Sequence, residues 1–438
     1  MLLIRLLIQF NMSKILAING GKPVLKKSLP FFPPSPMDNK EKKAVLRIMQ
    51  SNRLSDFVAG NGEKFLGGKE IIDLEKTFTK KFKVKYSVSF NSATTALHGA
   101  IVALGIGPGD EVIVPAYSMS ATASCVLMNG AVPIFADIRE DNYCIDPKSI
   151  LKNITPRTKA IIVVNLFGGS ANFNEILKIA EKHKLKIIED NAQAPGAKYR
   201  GKFTGTIGDI GIFSFNTHKV IQSGEGGVLV TNNKKYSFRA QLARNHGECV
   251  VDQMDEKNKE IILGSNYRLT NIQAVIAKEQ ILKLDSLNRQ RIILADYLTS
   301  KLKDIPGIET PVLKNKNKHV YYIYPFKIKE EILGINRDKF VDAMQFEGFV
   351  LSKGYVKPIY LLPIYQKKKA FNNTSFPFKS MFYKGSPNYK KGICPVCERM
   401  YEKEFTFTTI CQNPFTKKEV DLFVKAVKKI VNNKEELK

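Results

Sequence analysis

Residues 210–232 read IGIFSFNTHKVIQSGEGGVLVTN. Two nearly continuous apolar runs, 210–215 and 226–232, flank a polar stretch that carries Lys219 and closes on Gly224, Glu225, Gly226 and Gly227. Short runs rich in Ile, Phe and Val and bounded by glycine predict strands buried on both faces. A lysine delivered straight off such a strand is unusual, because an ammonium group normally stays in water. The residues that converge on the same place decide what it is for.

The pattern extends upstream. YSVSF (86–90), DEVIVPA (110–116), AVPIFAD (131–137), TKAIIVVNLFG (158–168) and LKIIEDNA (185–192) each predict a strand. NSATTALHGAIVALG (91–105), SATASCVLMNG (120–130) and NFNEILKIAEKHK (172–184) supply helices between them. Strands alternating with helices imply an α/β fold, a large and mostly parallel sheet with helices on both faces. A long helix is expected over 271–303. Beyond Pro306 the texture becomes α+β, with a strand in HVYYIYPFKI (319–328) and helices in RDKFVDAMQFEG (337–348) and KKEVDLFVKAVKKIV (417–431). The expected organisation is an N-terminal arm (1–35), a large domain (36–280) and a smaller C-terminal domain (281–438).

Composition narrows the class. The 438 residues carry 68 Lys+Arg against 41 Asp+Glu, a formal charge of +27. The basic runs are scattered rather than gathered in one stripe, and neither a zinc finger nor an RNA-recognition signature is present, so no nucleic-acid partner is expected. Six cysteines in so long a chain argue against a disulfide framework and for a reducing compartment. CPVC (394–397) lacks the second pair that a zinc ribbon needs, and no metal is expected. The apolar start MLLIRLLIQF is broken by Arg5 and is too short to span a bilayer. Translation from Met12 would make residues 1–11 non-native, and the protein is expected in the cytoplasm without a membrane partner.

In open α/β sheets, ligands gather at the carboxyl ends of the strands. Three of those ends carry chemistry here. IIED places Asp190 at one, where an unpaired carboxylate is costly to bury. The 210–215 run leads to Lys219. VSFNSATTAL ends in a turn of small residues that opens a helix, a ready anion site. Each feature alone has an ordinary reading: a strand-end acid, a solvated lysine, a helix cap. Together they suit pyridoxal 5′-phosphate, whose aldehyde takes an amine, whose phosphate takes a helix N-terminus, and whose ring nitrogen takes a carboxylate.

NSATTALHGAIVALGIGPGDEVIVPAYSMSATA, the segment from VNLFGGSAN through IGIFSF, HKVIQSGEGGVLVTN, RNHGE and NYRLTNIQAVIAKEQILKLD closely resemble the DegT-type (DegT/StrS) sugar aminotransferases. That family has the fold-type I pyridoxal phosphate architecture and usually forms homodimers with a shared active site. The resemblance covers about residues 15–300 and continues more loosely to the end. It implies that Lys219 joins the cofactor and is catalytic, that Asp190 partners the ring nitrogen, and that Gln193 lies beside the phenolic oxygen. Ala93, Thr94 and Ser214 match phosphate-binding positions. Asn266 matches an asparagine that reaches the phosphate from the partner subunit, and Arg268 lies near where an anionic substrate group enters. Met119 stands where the family usually stacks an aromatic side chain on the ring. No role follows for His218, Glu225 or His246.

The implied activity moves an amino group from glutamate or glutamine to a keto-sugar, often nucleotide-linked, or to a cyclitol ketone. Amino-sugar, surface-polysaccharide or secondary-metabolite synthesis would use it. One branch of the family replaces the lysine with histidine and dehydrates deoxysugars, and other members serve as regulators. Lys219, Asp190 and Gln193 favour transamination.

Overall fold

The computed structural model describes residues 15–30, 33–252, 254–255, 259–313 and 317–438. Residues 1–12, on which the choice of start codon bears, lie outside them. A seven-stranded sheet is built from β1 (Tyr86–Phe90), β2 (Glu111–Pro115), β3 (Val132–Ala136), β4 (Thr158–Val164), β5 (Lys186–Asp190), β6 (Ile210–Ser214) and β7 (Gly227–Thr231), in the order β1-β7-β6-β5-β4-β2-β3. Pairings from β3 through β6 are parallel. Those of β7 with β6 and β1 are antiparallel. The exception has a local cause: helices cross between β2 and β3 and between β4 and β5, and β5 reaches β6 through residues 191–209, whereas β6 and β7 are joined only by the loop 215–226 that carries Lys219, and the chain turns back on itself.

Alternation along the strands creates two cores. Leu229 packs with α3 (Ala93–Leu104), while Val228 and Val230 face the opposite side with α2 (Lys69–Phe82) and α7 (Asn271–Leu302). Further helices are α1 (Asn39–Ser51), α4 (Ala121–Met128), α5 (Phe173–His183), α6 (Lys234–Arg244), α8 (Arg337–Phe346) and α9 (Lys417–Asn432). α7 runs unbroken through residues 280 and 281. Its first half (Ala274, Ala277, Ile281, Leu284) belongs to the core under the sheet, and its second half (Leu294, Leu298, Leu302) to a separate C-terminal core. There α8 and α9 cover an antiparallel sheet of β8 (Ile308–Glu309), β9 (Tyr324–Ile328) and β10 (Phe405–Thr408).

Two segments depart from the expected layout. The strand expected over 319–328 begins only at Tyr324, because Tyr321 is held at φ +50° and the chain before it bends toward Gly168. Residues 359–400 pack into the core of the large sheet through Tyr360, Tyr365, Phe378 and Tyr389. The Tyr389 hydroxyl donates to the carbonyl of Pro133 on the edge strand β3, which covers that edge. Cys394 and Cys397 are buried free thiols at the start of the short helix Pro395–Arg399, whose amides at Val396 and Cys397 donate to Asp137. Among the described residues, no helix is long and apolar enough to cross a membrane.

The bend before β9 encloses His319. Its ring packs against Gly169 and Tyr321, and its Nδ1 accepts from the Tyr321 amide at 2.9 Å. Burial pushes its pKa down to about 3. The unfolded chain, with an ordinary histidine near ~6.5, therefore binds the proton first, and stability present at neutral pH is lost as pH falls from that value toward 3. At about 1.4 kcal/mol per unit, His319 alone removes up to about 2 kcal/mol between pH 7.5 and 5. Urea unfolding at both pH values should show a shallower loss in His319→Asn than in the parent; identical slopes would contradict this.

Candidate active site

The carboxyl ends of β5 and β6 and the start of α3 meet at one place. Asp190 closes β5 and is only 5% exposed. Its carboxylate accepts from the Ala192 amide at 3.1 Å and from the Thr122 hydroxyl at 3.2 Å. Its neighbour Glu189 points to the other side and accepts from three backbone amides, those of Gly205, Ile207 and Gly208, at 2.5–2.7 Å. The contrast matters. Glu189 is fully occupied in holding a turn, whereas no salt bridge reaches Asp190 among the described residues. Burial pushes the Asp190 carboxyl up, while the Ala192 amide, the nearby Lys219 charge and Thr122 pull it down. A buried carboxylate with spare acceptor capacity fits a protonated ring nitrogen.

Lys219 lies in the loop after β6. Hydrogen bonds Phe215–Gly226, Thr217–Gly224 and Ser223–Phe215 pinch that loop, with Gly224 at φ +81° and Gly226 at φ +148°. Glu225 acquires a structural role here: its carboxylate accepts from Asn216 and its carbonyl from Gln273. The Lys219 Nζ sits 4.7 Å from the centroid of the Tyr322 ring. His218 is exposed, with its amide on the Asn216 side chain.

Ser92 caps α3 in a capping box with Thr95. The Ser92 hydroxyl takes the Thr95 amide and its carbonyl takes the Ala96 amide, which leaves the amides of Ala93 and Thr94 facing outward from the helix start. Gly227 approaches so closely that an added Cβ would lie 2.6 Å from the Ala93 nitrogen. Ser214 is paired in register with Gly227, which brings its hydroxyl beside the same turn. These groups fit a phosphate. Gln193 is clamped, its side-chain oxygen accepting from the Phe167 amide at 2.8 Å and its nitrogen donating to the Tyr355 hydroxyl at 2.9 Å.

The remaining sequence candidates lie at the rim. Met119 is 57% exposed, one turn ahead of Thr122. Asn266 is exposed and accepts from Arg268 Nε at 2.8 Å, while the carbonyl of Tyr267 between them accepts from the Asn91 amide at the helix start. His246 holds φ +45° at the start of a short helix, 3.7 Å from Glu248. Thr122, Phe167, Tyr322 and Tyr355 had not been singled out. Thr122, Phe167 and Tyr322 lie inside SATASCVLMNG, TKAIIVVNLFG and HVYYIYPFKI, where helical spacing after β2 and the Gly-Gly after Phe167 were the available signals for the first two.

This fold, with a buried acid, a loop lysine and a capped helix start at the strand ends, defines a fold-type I pyridoxal phosphate enzyme. Residues 47–404 match the model of the DegT/DnrJ/EryC1/StrS aminotransferase family, and the chain belongs to that family. It is a pyridoxal phosphate-dependent aminotransferase. Among its relatives, a GDP-perosamine synthase of Caulobacter vibrioides is 35% identical over 75% of this chain and 85% of its own. An L-glutamine:2-deoxy-scyllo-inosose aminotransferase of Streptomyces kanamyceticus is 34% identical over 81% of this chain and 83% of its own. Among solved structures, an E. coli GDP-4-keto-6-deoxy-D-mannose-3-dehydratase with bound hydrated cofactor superposes with a TM-score of 0.75 at 25% identity, covering 92% of this chain and 100% of its own.

Breaking a buried charge pair costs about 3–5 kcal/mol, so Asp190→Asn should bind the cofactor at least ~100-fold more weakly in a fluorescence titration. Gly227→Ala should cost the ~1–3 kcal/mol of stability expected of overpacking, read as a lower thermal midpoint, and weaken cofactor binding with it. Parent-like affinity in the first variant, or parent-like melting in the second, would contradict the assignment.

Proposed function

We propose that this aminotransferase moves an amino group from glutamate or glutamine to the carbonyl of a keto-sugar, nucleotide-linked or free, or of a cyclitol ketone. Lys219 in the loop after β6, facing the charge of buried Asp190, carries the reading. Two relatives whose names specify a nucleotide sugar and a deoxyinosose support the substrate class.

The cofactor, when bound, supplies an aldehyde for the incoming amine and an electron-poor ring that stores the electron pair released at the donor's α-carbon. The chain's own groups do the rest. Asp190 would keep the ring nitrogen protonated, with Thr122 and the Ala192 amide fixing the carboxylate. Ala93, Thr94 and Ser214 would hold the phosphate, and Gln193 would sit beside the phenolic oxygen, braced by Phe167 and Tyr355. Lys219 Nζ, once displaced by the donor, would take the proton from the donor's α-carbon and deliver it on the cofactor side. On the acceptor the same nitrogen runs these transfers in reverse. Met119 would form one wall of the ring site by thioether packing, and Arg268 would receive an anionic group at the rim.

The enzyme works as a cytoplasmic homodimer in this reading. Asn266, exposed on each subunit, would complete the partner's phosphate site, so the separated subunit would be inactive. In this reading the large cofactor-binding domain spans 36–280 and the smaller domain 281–438, of which residues 359–400 pack back on the large sheet.

Incubation with glutamine or glutamate labelled at the α-amine and a panel of keto-sugars should place the labelled nitrogen in the sugar product. Lys219→Ala should abolish both this transfer and the visible absorption of the loaded protein. A dehydrated sugar that carries no label would favour the dehydratase activity of the family instead.

A further inference from the structure

Tyr322 lies outside every motif that marked the cofactor site, yet the Lys219 ammonium sits over the face of its ring, 4.7 Å from centroid to Nζ. The ring's negative face attracts a cation, and the attraction grows where water is excluded. The backbone that presents Tyr322 is unusually constrained. Tyr321 takes φ +50°, a left-handed conformation that a bulky aromatic residue seldom adopts. Opposite it, Gly168 takes φ +97°, and a Cβ there would lie 2.7 Å from the Tyr322 nitrogen. The Val320 amide donates to the Gly168 carbonyl at 2.8 Å, and the Tyr322 carbonyl accepts from Gln412 at 2.7 Å. Strain maintained on both sides of a cleft and pinned by hydrogen bonds indicates a side chain held for use. The same pair of segments connects to the rest of the site. Phe167, at φ +59° beside Gly168, donates to Gln193, and Gln193 donates to Tyr355. Tyr355 lies close enough to Tyr322 and Asp190 for both to raise its pKa, after burial as the main cause.

We propose that Tyr322 is a positioning residue for Lys219: its ring face is the fixed resting place of the lysine amine whenever that amine is not joined to the cofactor. An amine on a four-carbon stem loses rotamer freedom when it must return to one point. The amine is free before cofactor capture and again after the donor has displaced it, and in the second interval it must carry a proton between two carbons. A ring that holds Nζ on the Asp190 side of the cleft keeps it within reach for that transfer. The ring is what the role requires. The hydroxyl is not, so phenylalanine should serve. The inference rests on the aminotransferase reading only for its kinetic consequence.

The test begins with cofactor-free protein whose lysines are reductively methylated with a carbon-13 label, the Lys219 signal being assigned by its loss in Lys219→Arg. Held over a ring face, that methyl signal should be displaced upfield of the other lysines in the parent and in Tyr322→Phe, and return to the bulk position in Tyr322→Leu. In the loaded enzyme, Tyr322→Leu should turn over about tenfold more slowly, with the donor KM changed less than twofold, and Tyr322→Phe should restore the rate. A Lys219 signal at the bulk position in the parent overturns the proposal even if Tyr322→Leu fails to fold. So does Tyr322→Phe as slow as Tyr322→Leu. A displaced parent signal in a protein that transfers no labelled nitrogen would leave the resting place standing and remove the proposed function instead.

Discussion

The structure depends on one electrostatic arrangement: a carboxylate buried at the end of β5 with the charge of Lys219 as its nearest cationic influence. Burial alone would drive Asp190 toward its neutral acid form, which could not keep a ring nitrogen protonated. The Ala192 amide and the Thr122 hydroxyl offset part of that penalty without saturating the oxygens. A cationic ring held by this carboxylate would supply the remainder. Glu189, one residue earlier and also buried, shows the alternative outcome, in which three backbone amides and the Asn165 side chain take up a carboxylate's capacity.

Everything around this pair acts to bring backbone segments unusually close. Gly227 lets β7 start against the first turn of α3, so that the amides at the start of that helix, Ser214 and the lysine loop lie close together. Replacing a crossover helix by that loop makes β7 antiparallel, and a feature that looks like an irregularity of the sheet is the means of placing Lys219. The C-terminal part contributes walls rather than reactive groups. Tyr322 reaches in ahead of β9, and Tyr355 arrives from the segment before residues 359–400, which themselves pack on the large sheet.

Much of this was legible in the sequence, for identifiable reasons. Strands buried on both faces leave continuous apolar runs, so β1 to β7 fall within a residue or two of their expected bounds, except that β4 ends at Val164, four residues before the expected 168. Asp190, Lys219 and the 91–95 turn could be placed together because parallel topology puts consecutive strand ends on one side. Tyr322 and Tyr355 could not, since nothing in local periodicity tells an aromatic that faces a cleft from one in a core. HVYYIYPFKI reads as a single strand because its apolar content does not reveal that Tyr321 is forced to a positive φ by contact with Gly168, more than 150 residues away. Likewise 359–400 carries no signal of which core it joins. The six cysteines required no function, and the two in CPVC are buried thiols beside Asp137.

The central claim is that Asp190 keeps the cofactor's ring nitrogen protonated. The most direct measurement is the nitrogen-15 resonance of ring-labelled pyridoxal phosphate bound to the protein at pH 8, in the parent and in Asp190→Ala. The account predicts the pyridinium position in the parent and the unprotonated pyridine position in the variant. A pyridine signal in the parent, or the same signal in both proteins, would contradict it.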